Sequence, residues 1–76
     1  MTELEWLDIF SNNLVDILKD QRMTQRDLAD AAGLSEGMVS SIINKQKMPG
    51  IKTIINMSHA LDIDVDELID FGSMII

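Results

Sequence analysis

The 76-residue chain has no cysteine, which excludes disulfide frameworks, thiolate zinc sites and cysteine nucleophiles. It also has no tyrosine and one histidine, so most general acid–base and metal-ligand constellations have nothing to be built from. No apolar run approaches the roughly 20 residues that span a bilayer. The N-terminal segment carries two glutamates and no early basic residue, which is untypical of a signal peptide. We therefore expect a soluble cytoplasmic protein that is not an enzyme and needs no cofactor, metal, membrane or small-molecule ligand.

Hydrophobic residues make up 46% of the chain, which indicates a globular protein with a buried core and not a disordered one. Two separate cores would each fall below the size that folds alone. We predict a single domain over residues 1–76.

The net charge of −7 is unevenly distributed. Residues 1–20 carry five acidic residues against one lysine, and residues 54–76 carry five acidic residues and no basic one. Residues 21–53 instead carry five basic residues against three acidic ones. This asymmetry is typical of a nucleic-acid-binding face on a body that otherwise repels phosphate. Basic residues scattered over a solvated acidic surface would give the same totals, so charge alone leaves both interpretations open.

The apolar spacing predicts helices throughout, because one proline and four glycines interrupt the chain and no segment alternates apolar with polar residues. Thr2 begins a capping-box sequence ahead of the first helix. Residues 11–13 form a second possible cap, so residues 1–20 are predicted to form either one long helix or two short ones. The apolar stripe of this element is Leu4, Leu7, Phe10, Leu14, Ile17 and Leu18.

Four further helices follow from cap and stop signals. A capping box at Thr24 opens the second helix and Gly33 ends it. Ser35 caps a third helix that runs to about Lys45, a loop covers residues 46–50, and a fourth helix covers residues 51–61. A capping box over residues 64–67 begins the last helix, which we expect to reach about residue 71. The core-facing positions predicted for helices two to four are Leu28, Ala31 and Ala32, then Met38, Val39, Ile42 and Ile43, then Ile51, Ile54, Ile55, Met57 and Leu61.

Two capped helices around a glycine turn, from Thr24 to Asn44, form a helix-turn-helix pattern. Here the chain resembles the lambda-repressor-like, Cro-type helix-turn-helix domains, also called the xenobiotic-response-element family. The central matching residues are Met23-Thr24-Gln25-Arg26-Asp27-Leu28-Ala29, Gly33-Leu34-Ser35, Val39-Ser40-Ser41-Ile42 and Asn44-Lys45. The closing pattern matches at Met48-Pro49, Thr53-Ile54, Met57-Ser58, Ala60-Leu61, Asp62-Ile63-Asp64 and Glu67-Leu68. The resemblance covers about residues 14–69.

The resemblance implies an all-α, five-helix domain with its helix-turn-helix unit at about residues 24–45. It also implies binding to duplex DNA in the major groove, usually as a homodimer on a two-fold operator. The positions that correspond to DNA-contacting residues of the family are Thr24, Gln25, Arg26, Ser35, Glu36, Gly37, Ser40, Ser41, Asn44, Lys45, Lys47, Lys52 and Thr53. Among these, Gln25 corresponds to a phosphate-contacting position, and residues 35–37 and 41 to base-facing ones. Lys52 and Thr53 lie where the start of helix four can hold a phosphate.

The sequence departs from the family at several of these positions. Family members often pair an arginine late in helix one with a glutamate late in helix three, where this chain has Leu18 and Ile43. The apolar pair removes the ionic link without leaving an unpaired charge. Glu36 can accept a hydrogen bond from cytosine but repels phosphate, and Gly37 offers no side chain. We therefore expect sparse direct readout of the bases.

Apolar residues at both ends exceed what the predicted stripes use. Trp6 and Ile9 lie off the first stripe, and they either cover the core or contribute to self-association. The predicted dimer interface is Ile69, Phe71, Met74, Ile75 and Ile76.

His59 is predicted to be solvated. The acidic residues 62–67 are predicted to serve as caps, because a calcium loop would need a central glycine and a terminal glutamate.

The sequence thus predicts a sequence-specific transcriptional regulator of bacterial or phage origin, a repressor with no separate effector domain that binds an operator as a homodimer. The alternative is a protein-interaction module of the same fold with little DNA affinity, such as an antirepressor or an antitoxin-like partner. The net charge of −7 and Glu36 favour the alternative.

Overall fold

The computed structural model describes residues 2–69, which form five α-helices and no strand. The helices are α1 (Glu3–Gln21), α2 (Gln25–Ala32), α3 (Glu36–Ile43), α4 (Ile51–Ala60) and α5 (Val65–Leu68). The predicted all-α, five-helix fold is confirmed. The predicted extension of the last helix to residue 71 lies outside the described residues.

The first element is one continuous helix. Ser11 belonged to the second possible cap, but it is fully buried and its hydroxyl donates to the Asp8 carbonyl at 3.1 Å, within the helix. This bond to the preceding turn satisfies the hydroxyl without breaking the helix. Thr2 is the N-cap, and its hydroxyl accepts from the Glu5 N–H at 3.2 Å.

In each of the four connections between helices, one residue adopts the left-handed conformation, and only one of these four residues is a glycine. Gly33 has φ of 70°, and Arg22, Lys45 and Asp62 have φ between 54° and 62°. After Lys45, the Gln46 N–H donates to the Ser41 carbonyl at 2.8 Å, which is the 6→1 bond of a Schellman motif. These residues follow the ends of α1, α2, α3 and α4, where the chain changes direction towards the next helix.

The capping box predicted at residues 64–67 is wrong. Asp64 does occupy the N-cap of α5, but its side chain makes no capping hydrogen bond. The reason is that the Glu67 N–H, which the carboxylate would have accepted from, already donates to the Asp64 carbonyl at 3.0 Å.

The core is drawn from all five helices. Its fully buried larger side chains are Phe10, Leu14, Leu28, Val39, Ile42, Met57, Leu61 and Leu68. Trp6 and Ile9 are partly buried against this core, and the Trp6 ring stacks on Phe10 with centroids 5.0 Å apart. Of the two alternatives for Trp6 and Ile9, the structure therefore favours covering the core.

Four residues assigned to the core stripes are exposed instead. Leu4 is 74% exposed, Ile51 69% and Ile55 38%, and Ala31 also faces solvent while Ala29 is buried. Leu4 and Ile51 lie in the first turns of α1 and α4, where a helix projects beyond the neighbours that cover its centre. Helical spacing identifies a face of the helix, but it does not tell how far along the helix that face is covered.

Packing between helices fixes the position of α3. Helix α2 packs against α3 and α4, α1 packs against α3 and α5, and α4 packs against α5. The Gln21 amide nitrogen donates to the Leu61 carbonyl at 2.7 Å, which joins the C-terminal ends of α1 and α4. Helix α3 is thus held on two sides and has one face left for solvent.

Candidate nucleic-acid interface

The N-terminus of α2 is fixed by a complete capping box. The Thr24 hydroxyl accepts from the Asp27 N–H, and the Thr24 N–H donates to the Asp27 carboxylate, both at 3.0 Å. The bond from the Thr24 N–H, aided by the Thr24 hydroxyl, lowers the pKa of Asp27 below its ordinary value, because hydrogen bonds to a carboxylate favour its charged form. Gln25 and Arg26 begin the helix at this point, with Gln25 half-buried and Arg26 exposed.

The turn between α2 and α3 sets the angle of the second helix. Gly33 adopts the left-handed conformation, which costs least without a Cβ, and the Leu34 N–H donates to the Ala29 carbonyl at 2.9 Å. Ala29 is 1% exposed, so a small side chain lies where the chain folds back. Ser35 then caps α3 by accepting from the Met38 N–H at 3.1 Å.

Helix α3 has one apolar and one polar face. Val39 and Ile42 are buried in the core. The opposite face, which we call the outward face of α3, consists of Glu36, Gly37, Ser40, Ser41 and Asn44. At its C-terminal end the Asn44 amide donates to the Ser40 hydroxyl at 3.2 Å. A helix with this layout offers hydrogen-bonding groups to a partner while the core holds it rigidly from behind.

Most of the DNA-contacting positions implied by the resemblance are accessible. The exposed ones are Thr24, Arg26, Ser35, Glu36, Gly37, Asn44, Lys45, Lys47 and Lys52, and the half-buried ones are Gln25, Ser40, Ser41 and Thr53. The structure brings together two of them by a side-chain hydrogen bond, Ser40 and Asn44.

The basic side chains that follow α3 differ in their surroundings. The Lys45 ammonium lies 3.5 Å from the Asp8 carboxylate of α1. No carboxylate within residues 2–69 lies within 4.0 Å of the Lys47 or Lys52 ammonium groups. Lys47 and Lys52 are therefore available for an anionic partner, whereas Lys45 would first have to separate from Asp8.

Asp8 is a residue that the sequence analysis did not connect with this site. It lies 37 positions before Lys45, and no local spacing relates the two. Only the packing of α1 against α3 brings them together. By contrast, Leu18 belongs to the core cluster and Ile43 is partly buried against it, so neither position carries a charge that needs a partner.

Ile69 is the one predicted interface residue that the structure describes. It is half-buried and packs against the core cluster. The other predicted interface residues, Phe71, Met74, Ile75 and Ile76, lie outside the described residues.

Among residues 2–69 no three histidine or acidic side chains are grouped so that they could hold a metal ion. No helix within this range is long and apolar enough to cross a membrane. A cleft of about 430 Å³ lies at the C-terminal end of α4, lined by Ser58, His59, Asp62, Ile63, Asp64 and Glu67.

Two short capped helices that meet at a glycine turn, the second with a polar face flanked by lysines, define a helix-turn-helix DNA-binding domain. A family model described as Helix-turn-helix matches residues 14–68. The chain belongs to this Cro/C1-type helix-turn-helix family, whose members are DNA-binding transcriptional regulators and not enzymes.

Two known proteins are similar to this chain. The chain is 33% identical over 61 residues to the uncharacterized HTH-type transcriptional regulator YqaE of Bacillus subtilis strain 168. That match covers 80% of this chain and 53% of YqaE, so the chain spans about half the length of this curated relative. The crystal structure of the restriction-modification controller protein C.AhdI from Aeromonas hydrophila has the same fold, with a TM-score of 0.79 and 27% sequence identity. The structural match covers 82% of this chain and 94% of C.AhdI.

Proposed function

We propose that the protein is a sequence-specific regulator that binds an operator in duplex DNA as a homodimer and represses transcription by excluding polymerase. The observation that carries this proposal is the outward face of α3, which is polar, accessible and rigidly backed by the core. The major groove admits one α-helix, so α3 could present this face to the base edges. No cofactor is required for this activity.

Some of the proposed contacts position the protein on the DNA backbone, and others read the base sequence. Lys47, Lys52 and Arg26 would contact phosphates, and Gln25 would position the start of α2 against the backbone. Glu36 and Ser41 would face base edges, since a glutamate accepts from cytosine and a serine bonds to several bases. Few side chains therefore read the sequence, and specificity would depend on two half-sites bound together.

Repression by occupancy needs only a DNA-binding unit. Two recognition helices about one turn of duplex apart, roughly 34 Å, would match a two-fold operator. The description of C.AhdI as a controller protein supports a regulatory role for this fold. Because the chain spans about half of YqaE, this proposal concerns the DNA-binding domain.

Selection of bound duplexes from a random pool at low salt tests the proposal. We expect enrichment of a two-fold site by the wild-type chain. Asn44→Asp places a negative charge at the outward face of α3 and should abolish enrichment. Asn12→Asp makes the same change at an exposed position of α1 and should leave enrichment intact. Equal loss in both variants would show that net charge, and not the outward face, controls binding.

A second candidate is a protein-interaction module with little DNA affinity. Two observations favour it: Lys45 is held near Asp8, and Glu36 is exposed in the first turn of α3. Its test is the same selection. A folded wild-type chain that enriches no duplex would contradict the repressor and support the interaction module.

A further inference from the structure

Two basic residues lie on the turns at either end of the helix-turn-helix unit. Arg22 follows α1, two positions before the Thr24 cap of α2, and Lys45 follows Asn44 at the end of α3. Both are exposed, and both adopt the left-handed conformation, with φ of 56° and 62°. Glycine adopts this conformation most easily, and other residues adopt it infrequently. The chain therefore enters and leaves the unit through turns that carry a long basic side chain where glycine would be favoured.

The backbone around Arg22 is fixed by hydrogen bonds on both sides of this residue. The Met23 N–H donates to the Leu18 carbonyl at 2.9 Å, which closes the end of α1. On the other side, the Gln21 amide nitrogen donates to the Leu61 carbonyl at 2.7 Å and joins this turn to the end of α4. The side chain of Arg22 therefore extends towards solvent from a fixed point of the fold.

The Arg22 guanidinium has no acidic partner in the structure. No carboxylate within residues 2–69 lies within 4.0 Å of it. The basic residues nearest to it in this comparison differ, because Lys45 lies 3.5 Å from Asp8, and Arg26 stands next to Asp27 in the first turn of α2. Arg22 can therefore bind an external anion without first separating from a carboxylate.

We propose that Arg22 binds a phosphate of duplex DNA beside the N-terminal end of α2. A guanidinium can donate two parallel hydrogen bonds to a phosphate, which fixes orientation in addition to attracting the charge. Gln25, three positions later, is already proposed to position the start of α2 against the backbone. Arg22 would extend this contact to the turn that precedes the unit. A phosphate contact reads no base, so Arg22 should contribute equally to the binding of every duplex.

This inference rests on the proposed function, because it needs a protein that binds duplex DNA. It adds to that function a contact outside the positions implied by the family resemblance, which begin at Thr24. The signals that identify Arg22 are its left-handed backbone, its exposure and its unpaired guanidinium.

Replacing Arg22 by glycine tests the contact without a risk to folding. Glycine suits the left-handed turn, so Arg22→Gly should resist urea at least as well as the wild type. In anisotropy titrations at several salt concentrations, the slope of log K against log salt should flatten by about 1 for each phosphate contact removed. Arg22→Lys should keep most of the wild-type slope and bind more weakly, because an ammonium cannot form the bidentate pair.

Lys19→Ala is the matched control for the loss of a positive charge. Lys19 is exposed on α1, one turn before Arg22, and its replacement should leave the slope unchanged. Equal flattening in Lys19→Ala and Arg22→Gly would overturn the assignment, because the slope would then report net charge and not a contact.

Neutralising single phosphates locates the contact on the DNA. Each phosphate of a bound duplex is replaced in turn by an uncharged methylphosphonate. We expect at least one replacement that weakens binding of the wild type and costs Arg22→Gly nothing further, because the guanidinium and its phosphate form one interaction. If every replacement weakens both proteins by the same factor, Arg22 contacts no phosphate and the assignment is wrong.

The outcome for the wild type separates this assignment from the proposed function. Binding of duplex DNA with the same salt slope in the wild type and in Arg22→Gly would overturn the assignment alone. A wild-type chain that binds no duplex would overturn the proposed function and this assignment together.

Discussion

The Asp8 carboxylate of α1 lies 3.5 Å from the ammonium of Lys45, which follows the C-terminal end of α3. Both side chains are well exposed, so the ion pair contributes little to the stability of the fold. Its consequence is functional, because Lys45 is one of the positions that the family resemblance assigns to DNA contact. DNA would have to compete with an internal carboxylate for this lysine, and the acidic α1 would lower affinity at this point.

Replacing Asp8 by asparagine should tighten binding to duplex DNA, because Lys45 is released and one phosphate-repelling charge is removed. The measurement is fluorescence anisotropy with a labelled duplex at low salt. Asp16→Asn is the control, since it makes the same charge change eight residues further along the same helix. We expect a larger gain in affinity from Asp8→Asn than from Asp16→Asn.

The role of Lys45 in this effect is tested in a Lys45→Ala background. There, Asp8→Asn and Asp16→Asn should give equal gains, because the lysine that distinguishes them is absent. An excess gain from Asp8→Asn that persists without Lys45 would contradict competition between Asp8 and DNA for this side chain.

Salt dependence should report the proposed phosphate contacts. For about six to eight neutralised phosphates per dimer, log K should fall with log salt at a slope of roughly −5 to −7. Lys47→Ala should flatten the slope by about 1 for each contact removed and weaken binding to all sequences alike. Lys19→Ala removes an equally charged, exposed side chain from α1 and should leave the slope unchanged. A wild-type slope near zero would argue against binding through phosphates.

Three alanine variants should distinguish the residues that read base pairs from the residue that positions the protein on the DNA. Glu36→Ala and Ser41→Ala should each relax preference at one base pair per half-site, by about 1–3 kcal/mol for a good contact. Gln25→Ala should instead lower affinity evenly, since it positions α2 and reads no base. The measurement is the affinity of each variant for a set of single-base operator variants. Tighter binding of Glu36→Ala to every duplex would mean that the carboxylate only repels.

The helices, and the caps around α2 and α3, could be predicted from sequence because their signals are local. The Thr24 capping box, the left-handed Gly33 and the Ser35 cap depend on residues within three or four positions of each other, and all are present. The exposure of individual apolar side chains could be predicted less well than the helices. Leu4 and Ile51 satisfy the apolar spacing of their helices, yet both are exposed because no other helix covers these first turns.

The candidate site divides in the same way. The outward face of α3 follows from helical spacing and cap positions, so its residues could be identified from sequence. The Asp8–Lys45 pair could not, because it depends on how α1 crosses the end of α3. The acidic cleft at the C-terminal end of α4 could not be predicted either. It depends on the turn at Asp62, which adopts the left-handed conformation although it is not a glycine.

The Asp27 cap should make stability depend on pH. Hydrogen bonds from Thr24 lower the pKa of Asp27 in the folded state from 3.8, so its charged form favours folding. That contribution is fully present above the unfolded pKa and is lost as pH falls through the folded pKa. Asp27→Asn should therefore have a lower melting temperature than the wild type at neutral pH, and this difference should shrink as the pH falls from 3.8 through the lowered pKa of the folded state. A difference that persists unchanged into acid would mean that the charge is not responsible.

Two glycine-to-alanine changes should have opposite effects on stability. An added Cβ would meet nothing within 4 Å at either Gly33 or Gly37, so neither change creates a clash. Gly33 has φ of 70°, where an alanine is strained by about 1–2 kcal/mol. Gly37 lies within α3, where alanine is favoured over glycine by up to about 1 kcal/mol. Urea denaturation should show that Gly33→Ala is less stable than the wild type and Gly37→Ala more stable.

The more stable variant also tests why glycine stands on the outward face of α3. If the duplex approaches the backbone closely at residue 37, the added methyl group should weaken operator binding although it stabilises the helix. Anisotropy titrations of Gly37→Ala, with its higher stability established beforehand, separate the two effects because a folding defect cannot explain weaker binding in a more stable protein. Unchanged or tighter binding would mean that no close approach occurs there, and that Gly37 lowers the stability of α3 without a gain in recognition.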